Sequence, residues 1–281
     1  MKANNNYKQI KKSNKVQLPL VIGSFDIIHK GHWNLLSQVI NKDFNVLIII
    51  NSPKAKTYFN TLEQRLNNLS VFSPTNIYVL DIKNKNYTHV EFIKKVLKYI
   101  NPSEIIVGKN FKFGKNAVGN NKYLSKFYKV KETDIDNNST KIIKDLYLKN
   151  NVREANKKII LPILYEGKVI KGNQFGRTYG FPTLNQVFKD KNLVTPRNGI
   201  YAAEVYINNN IYPAATYINK TKAKTLIESY AINKKLPFNM YGKVIKTRLL
   251  DYIKPTKKIA TGDHKKYVSS MVKLVKKYFN I

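Results

Sequence analysis

Along the first hundred residues, short apolar runs alternate with stretches whose apolar positions recur every three or four residues. "LPLVIG", ending at Gly23, "FNVLIII" (Phe44 to Ile50), "NIYVLDI" and "EIIVG", ending at Gly108, read as buried strands. Between them, "HWNLLSQVI", "TLEQRLNNLSVF" and "VEFIKKVLKYI" have helical spacing, and Thr61 is placed to cap the second. This alternation predicts an α/β fold with a doubly wound parallel sheet, whose ligands bind beyond the carboxyl ends of the strands. A further helical stretch follows Asn138 to Thr140 and runs to about Lys158, and there the period changes. "ILYEGKVIKG", "GIYAAEVYINNNIYPAATYI", "TLIESYAI" and "YGKVIKTRLLDYI" are short runs separated by turn residues, which predicts a small antiparallel β-barrel. The chain closes on an amphipathic helix with Asp263 as its N-cap and Tyr267, Met271, Leu274 and Tyr278 on one face.

The predicted organisation is two domains, residues 1–157 (with 1–15 a loose basic tail) and 158–281, and the length of 281 residues suits two cores. No internal repeat is visible. The absence of cysteine removes disulfides, thiolate metal sites and cysteine nucleophiles together. The apolar runs fall well short of the roughly 20 residues a membrane span needs, so the expectation is a cytoplasmic protein with no membrane partner.

Charge changes the picture less than its size suggests. The formal net charge is +33, which raises a nucleic acid or a membrane surface as partner. Only five of the fifty basic residues are arginine, however, and the other 45 are lysine. Specific phosphate and base recognition favours the arginine fork. Asn, Ile and Tyr are abundant beside lysine, so compositional drift accounts for most of the charge, and no specific nucleic-acid partner is expected. A lysine-rich nucleic-acid binder remains the alternative from a different class, and steep salt dependence would reveal it.

Candidate chemistry concentrates in three segments. In "GSFDIIHKGH" (Gly23 to His32), His29 and His32 flank Gly31 directly after the first strand. Imidazoles and free backbone N–H groups at that place suit a nucleotide phosphate, and two donors there stabilise charge developing during in-line displacement. A polar loop and a metal pair are the competing readings, and the metal reading lacks further ligands. "GKVIKGNQFGRTYGFPTLN" (Gly167 to Asn185) combines closely spaced glycines with the hard oxygen donors Thr183 and Asn185, suited to Mg²⁺. Glu228 in "LIESYAI" is an acid within an otherwise apolar strand.

These segments resemble the bifunctional riboflavin kinase/FMN adenylyltransferases. "GSFDIIHKGH" resembles the histidine-x-glycine-histidine signature of the nucleotidyltransferase superfamily, and "TLEQRL" a threonine-led helix start of the flavin-adenylylating branch. "VGKNFKFGKNAVGN" (Val107 to Asn120) is similar to that branch's flavin and nucleotide loop, and "NSTKII" (Asn138 to Ile143) to its serine-serine-threonine segment. In the second half, Gly167 to Asn185 resembles the riboflavin kinase signature with its proline-threonine-x-asparagine segment, followed by the similar "PRNGIYAAEV" and "FNMYGK".

The resemblance implies riboflavin phosphorylation in the C-terminal half and adenylylation of FMN to FAD in the N-terminal half, with Mg²⁺ as cofactor and ATP, riboflavin, FMN and FAD as substrates and products. It implies His29, His32 and Glu228 as catalytic residues, Glu228 being the base for the riboflavin 5′-hydroxyl. It further implies Gly23, Ser24, Phe25, Gly31, Ser139, Thr140, Gly172, Arg177 and Gly180 around ATP and its phosphates, Asn110, Phe111 and Phe113 on the flavin, and Thr183 and Asn185 on the metal. Several positions depart from the family pattern: Ser24, Ile27, Asn110 and Asn138, and above all Ile143 where a phosphate-binding arginine is usual. "YINKTKAKTLIE" is a shortened, lysine-rich version of the loop over the flavin, and Lys254 stands where an arginine is common. The same fold with one activity retained is the nearest alternative.

Overall fold

The computed structural model describes residues 16–51, 56–134, 138–172, 182–232, 236, 239–256 and 264–281. The expected tail (1–15), Arg177, Gly180 and the Asp263 cap lie outside the described residues. Cα packing divides the chain into two compact units, residues 1–140 with 159–161, and residues 141–158 with 162–281.

In the first unit, β1 (Leu20–Gly23), β2 (Asn45–Ile50), β3 (Asn76–Asp81), β4 (Ile105–Gly108) and β7 (Val130–Thr133) form a parallel sheet in the order β3-β2-β1-β4-β7. A two-stranded hairpin, β5 (Lys112–Phe113) and β6 (Gly119–Asn120), follows β4. Four strands coincide with the apolar runs. The fifth, β7, is a mostly exposed edge strand of sequence VKET, so it lacks the continuous apolar run that marks its buried neighbours. Leu20, Ile22, Leu47 and Val107 pack on one face of the sheet and Val21, Val46, Ile48 and Ile106 on the other.

The helices of this unit are α1 (Lys30–Leu36), α2 (Leu62–Ser70), α3 (89–100) and α4 (Asn121–Leu124). Thr61 caps α2 as expected, in a capping box: its Oγ1 accepts from Gln64 N and Gln64 Oε1 accepts from Thr61 N. The middle of α3, Phe92–Leu97, is wound as a π-helix, with Phe92, Ile93, Val96 and Leu97 all buried.

The second unit is a closed barrel, β10-β11-β12-β9-β8-β13, comprising β8 (Tyr165–Ile170), β9 (Leu184–Phe188), β10 (Gly199–Ile207), β11 (Asn210–Lys220), β12 (Thr225–Ala231) and β13 (Val244–Lys254). Alternation sends Tyr201, Thr216, Ile227, Ser229, Gln186 and Thr247 inward, all fully buried. The interior polar groups are paired: Gln186 Nε2 donates to Ile245 O at 3.0 Å, Gln186 Oε1 accepts from Thr247 Oγ1 at 2.7 Å, and the Thr216 and Ser229 hydroxyls are 2.9 Å apart.

The stretch expected as one helix to Lys158 is two, α5 (Thr140–Leu148) and α6 (Val152–Asn156), broken at Asn150, which adopts φ 63°. Residues 141–158 pack with the barrel through contacts of α6: Asn156 Nδ2 donates to Leu249 O at 2.9 Å, and Arg153 pairs with Asp251 at 2.7 Å. In the terminal helix, α7 (His264–Phe279), Val268, Met271, Val272, Val275 and Tyr278 pack on Ile200, Ala202, Tyr217 and Tyr230. Leu274, expected on the apolar face, points outward and is 42% exposed, because the valines at 268, 272 and 275 define a different stripe. No helix among the described residues is long and apolar enough to cross a membrane.

Candidate functional site

Two constellations emerge, one on each unit. The first is the loop leaving β1. Helix α1 begins at Lys30, one residue before Gly31, and its N-cap is His29, whose Nδ1 accepts from His32 N at 3.2 Å. The two imidazoles stack, with centroids 3.9 Å apart and planes inclined by 25°. Both are buried. Burial, and secondarily the nearby His29, hold the His32 pKa well below the ordinary histidine value, opposed by a backbone hydrogen bond with Ile27. His32 is therefore a neutral imidazole at pH 7, and its Nδ1 is buried with no hydrogen-bond partner.

Gly31 has a steric reason to be glycine. A Cβ there would lie 3.0 Å from His29 Cε1 and 3.4 Å from Asn138 O, so Asn138, two residues before α5, sits directly against the histidine loop. Ser139 and Thr140 follow it, Ser139 exposed and Thr140 half-buried. Ile143, at the position of the family arginine, is completely buried and presents nothing to a phosphate.

Sequence reasoning passed over Asp26 and Arg65. Asp26 is buried, and its carboxylate accepts from Phe59 N at 3.0 Å and Asn60 N at 3.0 Å while pairing with Arg65 Nη2 at 3.0 Å. The signal available was an acid inside the motif and an arginine in a chain otherwise rich in lysine.

A cavity of about 200 Å³ opens nearby at the carboxyl ends of β2 and β3. Ile49, Leu80, Ile82, Tyr87, Phe92 and Phe113 are among its lining residues. That volume suits a planar ring system and is below the roughly 300 Å³ of the smallest drug-sized pockets. Of the three residues expected on the flavin, only Phe113 lines the cavity. Phe111 stacks behind it, with centroids 5.7 Å apart, and Asn110 is exposed to solvent. Tyr87 and Phe92 were not anticipated, since Tyr87 lies in a polar stretch ahead of α3 and Phe92 has the helical spacing of an ordinary core face. Gly114 (φ 74°) lets the loop pass against the start of α3, where a Cβ would lie 2.5 Å from His89 N.

The second constellation lies on the outer face of the barrel. Register pairs Glu228 with Asn185 on one side and with Tyr217 on the other, and Asn185 with Ile170. Directly opposed residues point to the same face with Cβ atoms about 5 Å apart, so the expected base and an expected metal ligand are immediate neighbours. Burial raises the Glu228 pKa above the usual carboxylate value. Tyr217 is also shifted upward, by burial and then by the charges of Glu228 and Tyr267.

Asn185 is 5% exposed, and its Oδ1 is buried with no hydrogen-bond partner. Its amide nitrogen lies across Gly172, leaving no room for a side chain at that position. An orphaned amide oxygen beside the half-buried Thr183 is a donor set that fits a hard cation completing its shell from phosphate and water. Among the described residues no group of three or more His, Asp or Glu side chains gathers.

The shortened loop between Tyr217 and Glu228 is a compact hairpin: Thr221 N donates to Lys224 O at 2.9 Å, and Thr221 Oγ1 accepts from Lys224 N at 3.2 Å. Lys254 lies over the Tyr267 ring, 5.2 Å from its centroid.

Comparison with known proteins agrees with this division. The FAD synthetase family model matches residues 11–149 and the riboflavin kinase model residues 160–267. The chain belongs to the bifunctional riboflavin kinase/FMN adenylyltransferase family. Among members of that family, it is 26% identical to the bifunctional riboflavin kinase/FMN adenylyltransferase of Mycoplasma pneumoniae, over 94% of this chain and 98% of the relative. It is 29% identical to the one from Buchnera aphidicola subsp. Schizaphis graminum, over 98% and 97%. The "Trifunctional protein RibF/MnmA" of Mycoplasmoides gallisepticum is 35% identical over 89% of this chain, which spans 38% of that longer protein. A crystal structure described as a macrolide-efflux protein from Streptococcus pneumoniae shares the fold, with a TM-score of 0.82, 23% identity, and coverage of 95% of this chain and 94% of that one.

Proposed function

We propose that the chain makes both flavin cofactors: residues 158–281 phosphorylate riboflavin to FMN, and residues 1–157 adenylylate FMN to FAD, each with ATP. The observation that carries this reading is the ladder pairing of Glu228 with Asn185, which sets a carboxylate beside an unpartnered, buried amide oxygen on one face of the barrel.

In the kinase reaction, Glu228 takes the proton of the riboflavin 5′-hydroxyl as that oxygen attacks the γ-phosphorus of ATP and the bond to ADP breaks. Its partial burial supports this role, since a carboxylate with a raised pKa is a stronger base. Asn185 and Thr183 would hold Mg²⁺, which neutralises phosphate charge when bound. Gly172 gives the Asn185 side chain its room, and Arg177 and Gly180 are assigned to the ATP phosphates by resemblance.

In the adenylyl transfer, a phosphate oxygen of FMN attacks the α-phosphorus of ATP and pyrophosphate leaves. His29, whose Nδ1 is taken up by the His32 amide, donates its Nε2–H to the phosphate oxygens with the neutral His32 stacked against it, Gly23, Ser24, Phe25 and Gly31 shape the loop around them, and Ser139 and Thr140 receive the departing pyrophosphate. The cavity faced by Phe113 takes the isoalloxazine ring. Because both reactions consume ATP, the proposed setting is cytoplasmic.

A second reading, riboflavin phosphorylation alone, is favoured by one observation: full burial of Ile143 withholds any side chain from phosphate where the family places an arginine. A time course of the full chain with riboflavin and ATP, with and without Mg²⁺, separates the two. The expected result is FMN followed by FAD, both lost on chelation. FMN without FAD selects the second reading, and no FMN overturns the kinase assignment.

A further inference from the structure

All three guanidinium nitrogens of Arg65 are engaged, two of them on the loop that carries the histidines and one on Asn60. Nη2 pairs with Asp26 Oδ1 at 3.0 Å, Nη1 donates to Ser24 O at 3.1 Å, and Nε donates to Asn60 O at 3.0 Å. Asn60 Nδ2 in turn donates to Asp26 O, so the segments Ser24–Asp26 and Phe59–Asn60 are stitched together around one side chain. Arg65 is also well enclosed. Its side chain is 11% exposed, against 54% for Arg153 and 30% for Arg248, the other ion-paired arginines among the described residues.

The loop needs such a constraint. Phe25 is fully buried with φ 46°, in the left-handed region that bulky residues avoid, and its ring lies where a side chain on Gly23 would have to go, 2.9 Å from that Cβ position. Asp26 follows, and three residues later His29 caps α1. A strained backbone persists only where its surroundings over-determine it, and here the surrounding bonds converge on Asp26 and Arg65.

We propose that Arg65 is the positioning residue of the histidine site, fixing the loop from Ser24 to His29 in the strained conformation that brings His29 and His32 together. This rests on reading that loop as the adenylyl-transfer site. Lysine does not substitute: its single nitrogen cannot address three acceptors on three different residues from one planar fork. In a chain where 45 of 50 basic residues are lysine, the arginine at this position has a geometric reason.

The test is the full chain carrying Arg65→Lys, assayed well below its melting temperature for FAD formation from FMN and for FMN formation from riboflavin. The expected result is a fall in kcat for FAD formation of about a hundredfold, the scale of a misplacement of about 1 Å, with KM for ATP changed less than threefold and FMN formation unchanged. Asp26→Asn keeps the size and the acceptor oxygen and is the milder variant if Arg65→Lys does not fold. It should lower the same kcat about tenfold. Guanidinium added to Arg65→Ala should restore part of the rate, which a residue serving stability alone would not allow. Wild-type kcat in Arg65→Lys or Asp26→Asn, even with a lowered melting temperature, would overturn the proposal and leave the site reading standing. Undiminished FAD formation in a His29→Ala/His32→Ala double variant would instead remove the site reading, and the clamp with it.

Discussion

The two constellations solve the same placement problem by different means. On the barrel, Asn185, Glu228 and Tyr217 occupy adjacent strands, and the hydrogen-bonded ladder fixes their spacing without any dedicated support. In the parallel-sheet unit, His29 and His32 sit where a loop becomes a helix. Their geometry depends on a cap, a strained Phe25 and the buried Asp26–Arg65 pair. A site on strands inherits its precision from backbone pairing, whereas a site on a loop needs side chains whose only task is to hold others.

The sharpest way to break this comparison is to remove the reacting groups one half at a time. Glu228→Gln should lower FMN formation about a thousandfold and leave FAD formation from supplied FMN untouched. The His29→Ala/His32→Ala double variant should do the reverse, lowering FAD formation at least a hundredfold. If either variant affected both products, the two sites would not be independent.

A smaller effect concerns pH. The base acts only when ionised, and burial holds the Glu228 pKa above its ordinary value, so FMN formation should fall on acidification at a pH above the usual carboxylate range. A kcat/KM profile whose acid limb lay at or below about 4.3 would contradict this.

The smallest expected effect sharpens the contrast in stability. An acid whose folded pKa exceeds its unfolded one binds protons more tightly in the folded state, so it costs stability once pH rises through that interval. Glu228→Gln should therefore raise the melting temperature by a degree or two at pH 7.5 and have no effect near pH 3, where the glutamate is protonated in both states. A lower melting temperature at pH 7.5 would mean that the carboxylate contributes bonds to the fold. The opposite sign is expected at Asp26, which is ion-paired, so Asp26→Asn should destabilise.

Much of the fold was legible in the pattern of apolar residues because burial on both faces of a parallel strand leaves a continuous run. It failed where the apolar run is missing or interrupted by buried polar residues. The edge strand β7 reads VKET, and β9 follows a glycine-rich segment whose Asn185 and Gln186 are buried polar residues with no apolar signature. For the candidate sites, His29, His32, Asn185 and Glu228 were legible because histidine pairs and buried acids are unusual in their contexts. Phe92 was not, since an aromatic lining a cavity has the same spacing as one filling a core, and Tyr87 was not, since it lies in a polar stretch outside any periodic run.

The sequence by itself determined the two-part architecture and the chemistry of each half. It did so because periodicity and residue type are local properties. Only the tertiary structure decided that Glu228 faces Asn185, that Asn110 stands away from the cavity, that Ile143 is sealed from phosphate, and that Arg65 reaches back 41 residues to Ser24. Those are distances between residues remote in the chain, and they exist only once strands have paired and loops have been tied down.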